Sequence, residues 1–174
     1  MLSLGYTVPA VAADFVGRHV PPGGKSLDAG VGTGILGDTL RVLGYTNLTG
    51  IDLSEAMMDV ARKKGAYETL RQMTLGEPLD FPDDSFDAAF SIGVFTEGHA
   101  PPESFDELVR VVKPGGWMVF GVRDDVYGGG GFREKMYALE EAEKWSLVEK
   151  SAAFPTFPAL EQSHGYRMFA YRVS

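Results

Sequence analysis

Apolar residues along this chain recur in two rhythms, the three-to-four-residue spacing of helices and the short continuous runs of buried strands. Val8, Val11, Ala12, Phe15 and Val16 share one face of a helix expected over 7–20, with Pro9 in the first turn, where its missing N–H costs nothing. Pro21-Pro22-Gly23-Gly24 stops that helix, and a first strand is expected over 25–28. A tight turn over Gly30 to Gly34 follows, then a helix from Ile35 with Leu36, Leu40 and Leu43 on its core stripe, ending at Gly44. A second strand over 48–52 leads to Ser54, a good N-cap for a helix whose Ala56, Met57, Val60 and Ala61 recur at helical spacing up to Lys64-Gly65.

The second half continues the alternation. Positions 67–73 mix apolar and charged residues, as a half-exposed strand near a sheet edge would. A turn over 81–86 precedes an apolar run over 87–93 that reads as a buried central strand. Pro101-Pro102 opens a helix through Phe105, Leu108, Val109 and Val112, Lys113-Pro114-Gly115-Gly116 ends it, and another strand covers 117–122. The stretch 124–131, with four consecutive glycines, reads as a mobile loop. A polar helix over 132–144 carries Met136 and Leu139, and two strands over 145–153 and 166–173 close the chain.

Strands alternating with helices predict an α/β fold. The expected form is a doubly wound, mostly parallel seven-stranded sheet with a C-terminal antiparallel strand pair and helices on both faces. The length of 174 residues suits one domain over 1–174. With no cysteine, disulfides, thiolate metal sites and cysteine nucleophiles are excluded, and His19, His99 and His164 lack metal-ligand spacing, so no metal is expected. The net charge of -8, without a basic patch interleaved with aromatics, argues against nucleic acid as substrate. With no long apolar run and no basic leader, the expected location is cytoplasmic and away from membranes.

The chemistry centres on Ser26 to Gly37. Here an apolar strand runs into Asp28 and then into Gly30, Gly32 and Gly34, positions that suit positive φ or close approach of a ligand to the main chain. Gly32, Gly34 and Gly37 also satisfy the spacing of the dinucleotide fingerprint. Against that reading, a carboxylate directly under the turn disfavours pyrophosphate and favours a cationic or amine-bearing ligand. Asp52, which follows Asp28 by 24 residues at the end of the second strand, suits either the hydroxyls of a ribose or a capping role for the next helix.

Asp28-Ala29-Gly30-Val31-Gly32-Thr33-Gly34 resembles the first motif of class I S-adenosylmethionine-dependent methyltransferases, and Gly50 to Met57 resembles the segment that follows it. Phe81 to Ala88 and Leu108 to Gly116 extend the resemblance in the family's order, so that it covers roughly Ala10 to Arg123. Leu75 to Leu79, Ile92 to Gly98 and the segment ending at Gly116 are most similar to the methyltransferase-like protein 27 subgroup.

The resemblance implies S-adenosyl-L-methionine as cofactor. Its methionine end would lie against Asp28, Ala29, Gly30, Gly32 and Gly34, its ribose on Asp52 and its adenine along Leu53, Met57, Thr74 and Leu75. Ser91 and Ile92, with Gly93, would cover the sulfur. Many family members carry an Asp near Thr74 and Leu75 for the adenine amine, so a backbone group is left to make that contact here. The family's further N-terminal cover is short in this chain, where nine residues precede Ala10 and Tyr6 is their one aromatic. An open site, or one closed by a partner subunit, is the expectation.

Methyl transfer requires alignment, exclusion of water and in some cases proton removal. His99 and Glu97, in a polar loop after the fourth strand, are the catalytic candidates, each weighed against a plain loop role. Arg123 is a candidate partner for an acidic acceptor. The expected activity is methyl transfer to a small molecule in preference to nucleic acid, the alternative being a non-catalytic or partner-dependent module that binds the cofactor or its demethylated product.

Overall fold

A computed structural model describes residues 5–174. The elements run α1 (Val8–His19), β1 (Ser26–Ala29), α2 (Ile35–Val42), β2 (Leu48–Asp52), α3 (Glu55–Lys64), β3 (Thr69–Gln72) and β4 (Phe86–Phe95). They continue with α4 (Ser104–Val111), β5 (Val112–Arg123), α5 (Asp124–Gly129), α6 (Phe132–Glu141), β6 (Trp145–Lys150), β7 (Phe154–Pro155) and β8 (Gly165–Val173). The strands form one sheet in the order β3-β2-β1-β4-β5-β8-β6, and the two-residue β7 pairs with β8 outside that path. β1 to β5 are mutually parallel, whereas β8 runs antiparallel to β5 and β6 antiparallel to β8. This is the expected doubly wound sheet with its C-terminal antiparallel pair.

Side-chain alternation along the strands divides the core between the two sheet faces. On β5, Met118, Phe120 and Val122 join α4 and α6, while Val119 points the other way, toward α1. β8 does the same: Phe169, Tyr171 and Val173 pack on one face and Tyr166, Met168 and Ala170 on the other. Trp145 stacks on Tyr171 with ring centroids 4.2 Å apart and donates its indole N–H to the Met136 carbonyl at 3.2 Å. Among the described residues no helix is long and apolar enough to cross a membrane.

Several local expectations are corrected. The stretch 124–131 is not a loop throughout, because α5 occupies 124–129. Burial of Val126 and the ion pair from Arg167 on β8 to Asp124 hold it despite its glycines. Lys113-Pro114-Gly115-Gly116 is a bulge inside β5 instead of a terminator between helix and strand, since Val112 already pairs with Phe86 and regular pairing resumes at Trp117 with Ala88. A side chain at Gly116 would place Cβ 2.6 Å from the Asp87 carbonyl oxygen. On α3 the core stripe is Met58 and Ala61, leaving Met57 and Val60 exposed, and Leu43 is exposed at the end of α2.

β1 leads on to β2 and β3 on one side of itself, while β4 and β5 lie on the other. The order therefore reverses between β1 and β4, and a crevice opens beyond their carboxyl ends, where such sheets bind ligands.

Candidate active site

The turn leaving β1 is built from backbone. Gly30, Gly32 and Gly34 have φ of +90°, +56° and +86°, a region that residues with a Cβ rarely enter. The Gly30 and Val31 amides donate to the Ile51 carbonyl at 2.8 and 3.1 Å, tying the turn to β2. A Cβ on Gly30 would lie 2.1 Å from Val94 Cγ2, so the position excludes side chains twice over. Nothing lies within 4 Å of a Cβ built on Gly32, so this backbone is open to a ligand. Gly34 and Gly37 serve packing: a Cβ would lie 3.0 Å from Ala61 Cβ at the first and 2.4 Å from the Tyr67 phenol at the second.

The two carboxylates differ in surroundings. Asp52 accepts the Gly32 amide on Oδ2 and the Ser54 amide on Oδ1, both at 2.8 Å, so it braces the turn and the entry to α3. Each oxygen keeps lone-pair capacity for a further donor. Asp28 is buried, and its Oδ2 accepts the Tyr67 hydroxyl at 2.5 Å. Its Oδ1 has no partner among the described residues. Burial pushes the carboxyl up to about 7, the Tyr67 bond opposes that rise and the Asp52 charge adds to it. A buried carboxylate oxygen left without a partner beside a cavity is a place for an incoming cationic donor.

That cavity has a volume of about 620 Å³ and lies over the carboxyl ends of β1, β2 and β4. Of the residues that the sequence singles out, Asp28, Gly30, Gly32, Asp52, Leu53, Met57, Thr74, Leu75, Ile92 and His99 line it. Leu53 and Met57 are 63% and 47% exposed, unusual for large apolar side chains and suited to a flat apolar ligand. Ala29, Gly34, Ser91 and Glu97 are not among the lining residues. Ala29 and Ser91 are joined behind the wall, where Ser91 Oγ donates to the Ala29 carbonyl at 2.7 Å. Glu97 is exposed, and its charge bears on Arg123. Val31, Ile35, Met73, Val94 and Ala100 also line the cavity, and nothing in their sequence context sets them apart from ordinary core or loop positions.

His99 is held by its own loop. Nδ1 lies 2.7 Å from Thr96 Oγ1 and 3.0 Å from the Glu97 carbonyl oxygen. Since a carbonyl only accepts, Nδ1 carries the hydrogen in that contact, and Nε2 is left as the lone-pair nitrogen of the neutral ring.

A smaller cavity of about 270 Å³ adjoins the first, with Tyr6 and Gly93 in both walls. Tyr6 stacks on Phe157 at 5.0 Å, and the Thr7 amide donates to the Thr156 carbonyl at 3.0 Å, so residues before α1 do fold over the site. The remainder of that N-terminal stretch, positions 1–4, lies outside the described residues. Gly93, with φ +69°, donates its amide to the Tyr166 hydroxyl at 2.8 Å. Arg123 at the cavity edge is already matched, donating Nε and Nη2 to the two Asp125 oxygens at 2.7 and 2.6 Å. Its pairing with an acidic acceptor therefore meets a competitor within the chain.

Residues 27–120 match the methyltransferase domain family. The chain belongs to the class I S-adenosylmethionine-dependent methyltransferases. Its cofactor is S-adenosyl-L-methionine, and the site fits that group: a large cavity, a buried carboxylate oxygen without a partner among the described residues, a second carboxylate with spare acceptor capacity, and open glycine backbone between them. Methyltransferase-like protein 27 of Homo sapiens is 36% identical over 125 residues, which make up 70% of this chain and 51% of that protein. The chain spans about half the length of the curated relatives it matches. In fold it is similar to an S-adenosylmethionine-dependent methyltransferase from Mesorhizobium loti, with TM-score 0.69 at 18% identity, covering 92% of this chain and 97% of that one. It is similar also to a chain in the complex of the Haloferax volcanii Trm112 methyltransferase activator with a methyltransferase, with TM-score 0.68 at 19% identity, covering 93% and 88%.

Proposed function

We propose that this protein transfers a methyl group from S-adenosylmethionine to a small-molecule acceptor seated in the smaller cavity. The observation that carries the reading is the junction at Tyr6 and Gly93, where a cavity large enough for a nucleoside meets one of about 270 Å³. A chamber of that size suits a small acceptor better than a nucleic acid, and the net charge of -8 points the same way. The similarity to methyltransferase-like protein 27 supports kinship with that subgroup. The complex with an activator among the fold neighbours supports a partner subunit as a regulator of the open side.

In this reading Asp28 Oδ1 takes the cofactor's amino group, Asp52 its ribose hydroxyls, and Leu53, Met57, Thr74 and Leu75 its base. Gly30 and Gly32 let the main chain approach, while Ala29, Gly34, Ser91 and Ile92 hold the surrounding wall. The bound cofactor supplies an electrophilic methyl on a sulfonium. His99 Nε2 accepts the proton that the acceptor sheds, with Glu97 keeping the loop's charge balanced against Arg123.

Parallel calorimetric titrations with S-adenosylmethionine, S-adenosylhomocysteine and NAD test the cofactor side. Binding of both sulfur nucleotides and not of NAD is expected; NAD binding, or binding of none, overturns it. Transfer of labelled methyl into pooled small molecules, RNA or protein then tests the acceptor class. Label in the RNA or protein pool alone would reject a small acceptor.

A further inference from the structure

Tyr67 stands just before β3, far in sequence from the glycine turn, yet its ring occupies a slot cut by three glycines. A Cβ on Gly37 would lie 2.4 Å from the phenol oxygen, one on Gly50 3.0 Å from ring atom Cδ1, and one on Gly34 3.4 Å from Cε2. The slot ends at Asp28, whose Oδ2 accepts the phenol hydrogen at 2.5 Å. The Gly37 amide, in the first turn of α2 where N–H groups lack helical acceptors, bears on the same phenol oxygen. Burial and the neighbouring Asp28 charge hold the phenol well above its ordinary range, so it stays protonated and donates.

We propose that Tyr67 is a positioning residue for cofactor binding: its hydroxyl occupies Asp28 Oδ2 and turns the unpartnered Oδ1 toward the cofactor's amino group. This rests on the reading that Asp28 receives that amino group. One carboxylate oxygen is thereby satisfied inside the protein, and the other is reserved for the ligand. The phenol also donates a side-chain hydrogen bond to the buried carboxylate, so it favours the ionised form that an ammonium requires. The other charged groups around this pair act against ionisation: Asp52 at the end of β2 repels Asp28, and Asp38 on α2 repels a charge on Tyr67. From β4, the charged residue is Asp87, which is engaged by Lys113 and the Lys25 amide at the strand's far end.

The test is the affinity for S-adenosylhomocysteine from pH 6 to 8.5, measured by calorimetry on the wild type and on Tyr67→Phe. Wild-type affinity should rise with pH and level off as Asp28 ionises. In Tyr67→Phe the curve should move to higher pH, so that binding is about tenfold weaker at pH 7 and the gap narrows toward pH 8.5. A role in packing alone would weaken binding by one factor at every pH; parallel curves, or an unchanged curve, overturn the proposal. Gly37→Ala, whose Cβ intrudes on the phenol, should shift the curve in the same direction and serves if Tyr67→Phe does not fold. Asp28→Asn separates the two readings. If it binds as well as wild type at all pH values, the role of Asp28 fails; if it loses binding while Tyr67→Phe leaves the curve in place, only Tyr67 is ruled out.

Discussion

One wall of the larger cavity, at Gly30 and Gly32, is main chain bent into φ values that glycine adopts freely, whereas the smaller cavity is lined mainly by side chains, among them Tyr6, Thr96, Arg123, Phe157, His164 and Tyr166. The first is a local product: strand, turn and helix from one short stretch, braced by the acid at the end of the next strand. The second exists only when the two flanks of the chain meet, Tyr6 on Phe157 and Thr7 on Thr156. A site of the first kind tolerates few substitutions because backbone has no substitute. A site of the second kind can be recut residue by residue, which fits a scaffold that keeps one cofactor while its acceptors change.

The largest effect that would sharpen this contrast is expected at Gly30. Alanine there faces both φ +90° and a 2.1 Å approach to Val94 Cγ2, so Gly30→Ala should abolish measurable cofactor binding and cost about 2–4 kcal/mol of stability in urea unfolding. Retained binding would show that the turn can re-form around a side chain.

Next comes Asp28, whose burial makes it a liability without ligand. Its folded pKa, raised from 3.8 to about 7, means that the folded state holds a proton the unfolded chain has already released between those values. Stability of the cofactor-free protein should therefore fall as pH rises from about 4 to 7, with the deficit fully present above 7. Asp28→Asn removes the titration, so its melting temperature should exceed that of wild type by several degrees at pH 8, a difference on the order of 2–4 kcal/mol, and the advantage should vanish near pH 4. An equal offset at both pH values would contradict the assignment.

The smallest effect on cofactor affinity is expected at His99, which lines the larger cavity and contacts Thr96 of the smaller one. His99→Ala should leave S-adenosylmethionine affinity within about twofold of wild type while lowering the turnover of a verified acceptor by about 10²-fold. An unchanged turnover would remove the histidine from proton transfer.

The same contrast explains what the sequence disclosed. Asp28, Gly30, Gly32 and Asp52 were legible because a strand-turn-helix writes its requirements into adjacent residues. Met57 was legible as a cavity-lining residue only in part: its helical spacing with Val60 and Ala61 suggested core, and of these the helix turns only Ala61 inward, together with Met58. Tyr67 gave no signal, since its partners Asp28, Gly37 and Gly50 come from three other elements. The helix over 124–129 was hidden for a related reason: its glycines argue for a loop, and the residue that outweighs them, Arg167, comes 43 positions after Asp124. Long-range ion pairs and slots for rings are properties of the assembled sheet and leave no local trace.

The hydrogen bond from the Thr7 amide to the Thr156 carbonyl has a consequence for traffic through the site. Its neighbours are the Thr7 hydroxyl on the Pro155 carbonyl and the Tyr6–Phe157 stack, so the roof over the smaller cavity is a seam held by a few weak links. Parting that seam would be a local opening that widens the way to the cavity and leaves the sheet intact. Deuterium uptake at the Thr7 amide, followed at a pH high enough for exchange to be limited by opening, thus becomes a clock for how often the seam parts.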